Sequence, residues 1–374
     1  MKKKLAIIRA DEGQLPLVNK AKEMGVEIHC FSWDKKGYTY CKDIVDYFHP
    51  ISILDKEKIL EKCREIKIDG VISKADNAMP TVAFVAQNMG LPGNGYEDAL
   101  VLCNKYTARL AFHKHGVNSP LFARASDGAD LTGFKYPLIV KPVDGKATAG
   151  VTKVLKPEDL QSAITRALDE SFMKEAIIEE FIDGFEASVD TVSCNGKHHI
   201  LSIKEREMGN GVYGSVKIAG HCPTDLAPEI ITKIKSETQK ALDAVNFKNG
   251  ASNTEFLVTK EGEVYIIELN PRLTGNKAYT IMQLHNGYDF AKGAIDIALG
   301  QFEEPVFAEI KYAGIYLLTK QTEWVRQIIE NRENDPDIIY ADIFDDETPE
   351  LQYLGDNVGY FIYQSNRRRR WGPK

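Results

Sequence analysis

The chain is 374 residues long, enough for two or three domains with a sizeable core, and its 43% hydrophobic and 27% charged residues are ordinary for a globular protein. A net charge of −7 excludes a general nucleic-acid binder, whose footprint is a basic surface, so any bound anion must be held by local clusters of cations. Six cysteines without a C-x-x-C pair read as small buried hydrophobes, the apolar run after the basic start ends at Arg9, and no run nears the ~18 apolar residues of a membrane span; the expectation is a cytoplasmic protein with neither nucleic-acid nor membrane partners.

The first ninety or so residues alternate strand and helix signals. Residues 5–8 are a short apolar run, 15–24 are helical, 26–31 are the next strand, 59–66 are helical, 70–73 are a strand, and 79–89 are a helix ending at Gly90. This alternation predicts a doubly wound parallel sheet, with ligands gathering beyond the carboxyl ends of its strands, at residues 9–14 and 73–77. The first strand runs into Arg9-Ala10-Asp11-Glu12-Gly13 and lacks the glycine fingerprint of a dinucleotide site. Leu91-Pro92-Gly93-Asn94-Gly95 is the first strong punctuation and a boundary.

Beyond it come a helix at about 106–115, then strands at 138–141, 151–155 and 177–181, with a helix at 157–168 between the last two. Further strands are expected at 187–193 and 199–202, helices at 230–244 and 289–299, and strand-like stretches at 312–318 and 360–363 in the tail. The expected division is an N-terminal α/β domain (1–93), a two-lobed α+β domain (94–303) with a small lid lobe at about 117–180, and a small C-terminal subdomain (304–374). The run of arginines at 367–370 reads as a solvated, frayed end.

Two stretches, Asn253-Thr254-Glu255-Phe256 and Glu268-Leu269-Asn270-Pro271-Arg272, flank the turn signal Glu261-Gly262 and read as a β-hairpin. A two-residue loop there sets Glu255 directly opposite Glu268, with Cβ atoms about 5 Å apart. Asn270, two residues on, shares the face of Glu268. Two carboxylates and an amide oxygen on one patch make a hard oxygen site suited to Mg²⁺ or Mn²⁺; by itself the pattern is equally that of a solvated sheet face. A loop one residue longer or shorter would break the pairing.

Lys141 ends an apolar strand and is fixed by Pro142, and Asp144-Gly145-Lys146-Ala147-Thr148-Ala149-Gly150 follows, where small residues between glycines leave N–H groups free to wrap an anion. Lys105 sits at a helix start beneath Asn104. The strand that ends in Glu179-Glu180-Phe181-Ile182 can offer backbone groups to a purine edge, and Glu186, past Gly184, can accept from ribose hydroxyls. The order and spacing of these signals, over about residues 5–300, resembles the ATP-grasp superfamily, in particular its carboxylate–amine ligases.

The resemblance implies ATP as the nucleotide, with Lys105 and Lys141 on its phosphates and residues 145–150, including Gly145, Lys146, Thr148 and Gly150, closing over them. Glu179, Glu180, Phe181 and Ile182 would line the adenine edge and Glu186 the ribose. Glu255, Glu268 and Asn270 would hold Mg²⁺ (or Mn²⁺), and Arg272 would face the transferring phosphoryl group and orient an acceptor carboxylate. Small-molecule carboxylic acid and amine substrates follow and, by analogy, a homodimer. Relatives often carry Asp-Lys where this chain has Asn104-Lys105, Lys146 is unusual in the glycine loop, and Leu273-Thr274-Gly275-Asn276-Lys277 replaces a glycine-rich stretch beside the acceptor pocket. His221 is a further candidate on the substrate side, and Lys204-Glu205-Arg206-Glu207-Met208-Gly209-Asn210-Gly211-Val212-Tyr213-Gly214 reads either as a mobile loop over the pocket or as a hairpin tip. Two alternatives stay open, a bicarbonate-using carboxylase or carbamoyl-phosphate-type enzyme and a non-catalytic ATP-binding module.

Overall fold

The structure is a computed structural model and describes residues 2–125, 129–145, 148–212, 215–275, 277–352 and 356–372. The N-terminal segment folds as β1 (Lys4–Ile8), α1 (Leu15–Glu23), β2 (Glu27–Phe31), β3 (Tyr47–His49), α2 (Lys56–Ile66), β4 (Gly70–Ile72) and α3 (Met79–Met89). Its four strands are parallel in the order β3-β2-β1-β4, with β1 fully covered except at its first residue. Burial on both faces is what a continuous apolar run such as Leu5-Ala6-Ile7-Ile8 requires. Strand β3 is too short and too aromatic to show an alternating pattern, and sequence periodicity passes over it.

Helices α4 (Tyr96–Leu102) and α5 (Lys105–Lys114) lead into a second, four-stranded antiparallel sheet. It holds β5 (Phe122–Arg124), β6 (Leu138–Pro142), β7 (Thr152–Val154) and β8 (Ala176–Glu180) in the order β5-β8-β6-β7, with α6 (Leu160–Glu170) packed on β6. Asn104 caps α5 by accepting from the N–H groups of Tyr106 (2.9 Å) and Thr107 (3.3 Å), which fixes Lys105 as its first residue.

The third sheet has eight strands. These are β9 (Phe185–Cys194), β10 (Lys197–Asn210), β11 (Ser215–Cys222), β12 (Gly250–Val258), β13 (Val264–Asn270), β14 (Tyr312–Leu318), β15 (Ile338–Ile343) and β16 (Gly359–Ser365), in the order β13-β12-β9-β10-β11-β14-β16-β15. Helix α7 (Pro228–Ala244) lies against β13, and α8 (Ala278–Asn286) against β14. Helix α9 (Phe290–Ala298) is buried along most of its length, with Lys292 left exposed, because it is wedged between β4 of the first sheet and β9 and β12 of the third. Its Phe290 and Ile295 are fully buried, each contributing about 1.5–3 kcal/mol. Gly70 makes the wedge possible, since a Cβ there would lie 2.5 Å from the Ala298 carbonyl oxygen. The tail adds β14, α10 (Trp324–Glu330), β15 and β16 to this sheet, in continuous pairing with β11.

The terminal arginines are not frayed. Arg368 pairs with Asp225 and Glu205, Arg369 with Asp335 and Asp337, and Arg370 with Glu205 (2.9 Å) and Glu207 (3.0 Å). Their acidic partners are scattered in sequence, so only the fold could reveal them. Residues 204–210, read as a loop or hairpin tip, are the second half of β10, paired with β11 up to Asn210–Ser215. Polar Lys-Glu-Arg-Glu hides the strand because its two faces serve two different ion-pair networks.

Candidate functional site

Strands β12 and β13 set Glu255 opposite Glu268 and Asn253 opposite Asn270. The turn that joins them is not the expected two-residue loop. Thr259 donates its N–H to Glu263 O (2.9 Å) and accepts from Gly262 N (3.0 Å), leaving three residues in the loop with Gly262 at φ 78°. That register alone would slip the carboxylates by one residue. A bulge restores it: Phe256 pairs with Ile266 and Glu255 with Glu268, so Ile267 is the extra residue on β13. The Ile267 carbonyl accepts from the buried Arg109 guanidinium.

These residues line a cleft of about 380 Å³ bounded by Lys74, Asp76, Lys105, Gly145, Thr148, Glu186, Arg206, Lys217, Glu255, Glu268, Asn270 and Arg272. Lys105 Nζ lies 2.9 Å from Glu268 Oε1 and donates to the Gly145 carbonyl at 2.8 Å, tying α5 to the metal-type carboxylate and to the start of the glycine loop. Asp144 anchors that loop from the other side, accepting from Ser171 Oγ (2.7 Å) and Met173 N (2.8 Å). Glu255 accepts from Arg206 Nη2 at 2.7 Å, and Glu186 lies 3.4 Å from Arg206 Nη1. Arg272 Nε meets Asp76 Oδ1 of the first sheet at 2.8 Å.

Beside the cleft, Lys141 Nζ (2.6 Å) and Arg109 Nε (2.8 Å) share the buried Glu179 carboxylate. Burial opposes the charge on Glu179, but Arg109 and Lys141 outweigh it and hold the carboxyl below its ordinary range. Glu268 is held at about 2: burial works against the anion, while Lys105, Lys141 and Arg272 together favour it more strongly. Glu186 goes the other way, raised by burial against the pull of Arg206.

The remaining candidates lie as follows. Gly150 has φ 73°, and a Cβ there would lie 2.8 Å from Pro142 Cγ and 2.9 Å from Glu170 Cβ. Glu180 donates its N–H to Leu121 O (2.9 Å), and its side-chain Oε2 accepts from Leu121 N (3.3 Å), so its backbone N–H and its carboxylate are both engaged beside the small sheet. Phe181 stacks under Lys153 Nζ at 3.7 Å from its centroid, and Ile182 is buried in the connector between β8 and β9. His221 is not among the cleft-lining residues; it is buried between Tyr363 Oη (3.0 Å) and Glu207 Oε1 (2.8 Å). Lys146 lies outside the described residues.

Arg109, Arg206, Lys217, Lys74 and Asp76 belong to the site and were not singled out in the sequence. Arg109 could have been found, since it is one turn beyond Lys105 on the same helix face. Lys217 forms no ion pair among the described residues, and burial, with Arg206 and Lys204 adding to it, pushes its ammonium down to about 7. Asp190 is a hidden organiser. It is fully buried and accepts from Ser202 (2.9 Å), Lys204, Asn253 (3.1 Å) and Thr274, so it joins β9, β10 and β12 to the segment after Arg272.

The donor set fits a hard divalent cation. Among the described residues no three His, Cys, Asp or Glu converge, so protein donors would be the Glu255 and Glu268 carboxylates plus the Asn270 amide oxygen. Residues 134–281 match the family model described as ATP-grasp domain. The chain carries an ATP-grasp domain. The chain is 27% identical over 259 residues to the carbamoyl phosphate synthase large chain of Thermoanaerobacter sp. (strain X514), covering 68% of this chain and 24% of that one. It is 29% identical over 210 residues to the D-alanine–D-alanine ligase of Geobacter sulfurreducens, covering 54% of this chain and 65% of the relative. The chain thus spans about a quarter of the length of the carbamoyl phosphate synthases it matches. The L-amino acid ligase from Bacillus licheniformis shares the fold, with a TM-score of 0.77 and 23% identity over 98% of this chain and 94% of that one. Among the described residues, no helix is long and apolar enough to cross a membrane.

Proposed function

We propose that this protein is an ATP- and Mg²⁺-dependent ligase that activates a small carboxylic acid as an acyl phosphate and joins it to an amine. The observation that carries the reading is the convergence of Glu255, Glu268 and Asn270 with Lys105 and Arg272 in one cleft. A carboxylate is a poor electrophile. Its oxygen attacks the γ-phosphorus, the bond from that phosphorus to the ADP oxygen breaks, and the acyl phosphate formed then loses phosphate to an attacking amine, which releases a proton. Such transfer needs alignment and positive charge more than covalent help.

In this reading Mg²⁺, when bound, neutralises charge on the phosphate oxygens. Lys105, Lys141 and Arg272 supply the protein's own cations, with Lys141 held in place by Glu179. Residues 145–150 close over the phosphates, and the lobe at about 117–180 acts as the lid that keeps water from the acyl phosphate. Glu186 takes the ribose and the 179–182 connector the adenine. Arg206 and Lys105 keep Glu255 and Glu268 oriented through their ion pairs.

The test is phosphate release from ATP measured for a panel of acids crossed with amines. Release that requires both an acid and an amine supports the ligase, and turnover indifferent to every acid overturns it. The likeness to carbamoyl phosphate synthase favours one second reading, bicarbonate as the acid, giving a carboxylated or carbamoyl product. ATP turnover dependent on bicarbonate and on no organic acid would establish that reading instead.

A further inference from the structure

One guanidinium spans two ends of the cleft that the ligase reading gives to different ligand groups. Register sets Arg206 of β10 directly opposite Glu186 of β9, and Glu186 opposite Leu257 of β12. Glu255 lies two residues before Leu257, so Arg206, Glu186 and Glu255 share one face of three adjacent strands. Glu186 is the nearer carboxylate by register, yet Arg206 holds it loosely, with Nη1 lying 3.4 Å from Glu186 Oε2. The short contact, from Nη2 to Glu255 Oε1 at 2.7 Å, reaches past β9 to the next strand.

Asn253 supplies a fixed point between the two. It is fully buried, and its Nδ2 donates to Asp190 Oδ1 (3.1 Å) and Val189 O (3.3 Å), which turns its Oδ1 toward Arg206 Nη2 at 3.4 Å. The guanidinium therefore stands beside an anchored amide and serves two carboxylates with one positive charge. Both carboxylates line the cleft and are about a quarter exposed, so a ligand can reach either. A divalent cation on Glu255 competes with Arg206 for the same carboxylate and repels it. Glu186 is then the anion left to the guanidinium. A carboxylate paired in that way is held ionised and in one orientation, as an acceptor of ribose hydroxyls must be.

We propose that Arg206 is a positioning residue that couples the metal end of the cleft to the ribose end, passing from Glu255 to Glu186 when a divalent cation takes Glu255. This rests on the ligase reading given above, which gives Glu255 to the metal and Glu186 to the ribose. Both ligands favour the arrangement with Arg206 on Glu186, so each tightens the other by the same factor without touching it. The coupling is separate from the bridging of metal and nucleotide through phosphate oxygens, and a nucleoside without phosphate isolates it.

Adenosine is such a probe, and 2′,3′-dideoxyadenosine lacks the hydroxyls that Glu186 would accept from. Binding of Mn²⁺ is followed by the electron paramagnetic resonance signal of the free ion, with no nucleoside, with adenosine and with 2′,3′-dideoxyadenosine. Adenosine should lower the Kd for Mn²⁺ about fivefold or more, and the dideoxy compound should leave it unchanged. Equal values under all three conditions, or equal tightening by both nucleosides, overturn the coupling. Arg206→Met should bind Mn²⁺ about fivefold or more tightly than wild type without nucleoside, because no guanidinium competes for Glu255, and should gain nothing from adenosine. Weaker binding in Arg206→Met, or an undiminished response to adenosine, makes Arg206 a support for Glu255 alone and overturns the coupling. Glu186→Gln should lose the adenosine response with the guanidinium still in place, and Arg206→Lys should keep part of it. Mn²⁺ binding that Glu255→Gln leaves unchanged overturns the metal assignment and the coupling with it. Adenosine-dependent Mn²⁺ binding without phosphate release for any acid–amine pair would sink the ligase reading and leave the coupling standing, whereas release that needs acid and amine, with no adenosine response, does the reverse.

Discussion

Arg109 donates to the carbonyl of Ile267, the one residue that β13 loops out to bring Glu255 opposite Glu268. The same guanidinium holds Glu179 at 2.8 Å, and Glu179 holds Lys141 at 2.6 Å. One buried side chain therefore links the hairpin register to Lys141.

Arg109→Met should destabilise the protein by about 3–5 kcal/mol, because it leaves the buried Glu179 with Lys141 as its one cation and leaves the bulge carbonyl without its donor. The urea midpoint reports that loss. Turnover should fall even at low temperature, where the variant is still folded, since the carboxylate pair loses the support of its register. Normal turnover in folded Arg109→Met would separate the bulge from the site.

Glu268→Gln and Glu255→Gln should each lower ATP turnover by about 10²–10³-fold, the scale for losing one preorganised charge at a transfer site. Both side chains are about a quarter exposed, so their loss should leave the unfolding free energy from urea titration within about 1 kcal/mol of wild type. Mg²⁺ titration of the phosphate-release rate should be shifted to higher Mg²⁺ concentrations in both variants. An unchanged Mg²⁺ dependence would remove these two residues from the metal site.

The glycine loop leans on the Pro142 ring at both ends. A Cβ at Gly145 would lie 2.9 Å from Pro142 Cγ, and one at Gly150 would lie 2.8 Å from the same atom. Gly150→Ala adds the strain of φ 73° and should raise the KM for ATP about tenfold or more, with a smaller change in kcat. Steady-state kinetics at saturating acid and amine measure this split.

The arginine tail should detach in acid. Glu207 is held below its ordinary range chiefly by the contact from His221. For Glu205, burial raises the value, but the Asp225 N–H, Thr224 and Arg370 outweigh it and leave it lowered. A carboxyl lowered in the folded state stabilises it fully above the unfolded value of about 4.3 and loses that contribution as pH falls through the folded value. Trp371 packs 4.7 Å from the Tyr363 centroid, so the fluorescence difference between wild type and Trp371→Phe should change over that acid range. Arg370→Ala should move the change to higher pH.

Much of the N-terminal sheet was legible because fully buried parallel strands read as unbroken apolar runs, as Leu5-Ala6-Ile7-Ile8 does. The expected strand at 312–318 coincides with Tyr312–Leu318 because this antiparallel strand is also covered on both faces and reads as an apolar run. Strand β10 was only half legible, since Glu205 and Glu207 face the arginine tail while Arg206 faces Glu255. Charge on both faces erases the alternation that marks a strand. The pairing of Glu255 with Glu268 was expected from a two-residue loop, and it occurs through a three-residue loop corrected by a bulge. Two departures cancelled, which no pattern in the hairpin itself reveals.

By itself the sequence determined which chemistry is available, because carboxylates, an amide, lysines and a glycine loop in this order carry their donor properties with them wherever the chain runs. The tertiary structure decided which of those groups meet. Arg272 to Asp76 and Lys105 to Glu268 both join residues distant along the chain. Such contacts depend on sheet order and on the wedge of α9 between two sheets, and these follow from how all the apolar faces are covered at once rather than from any local signal.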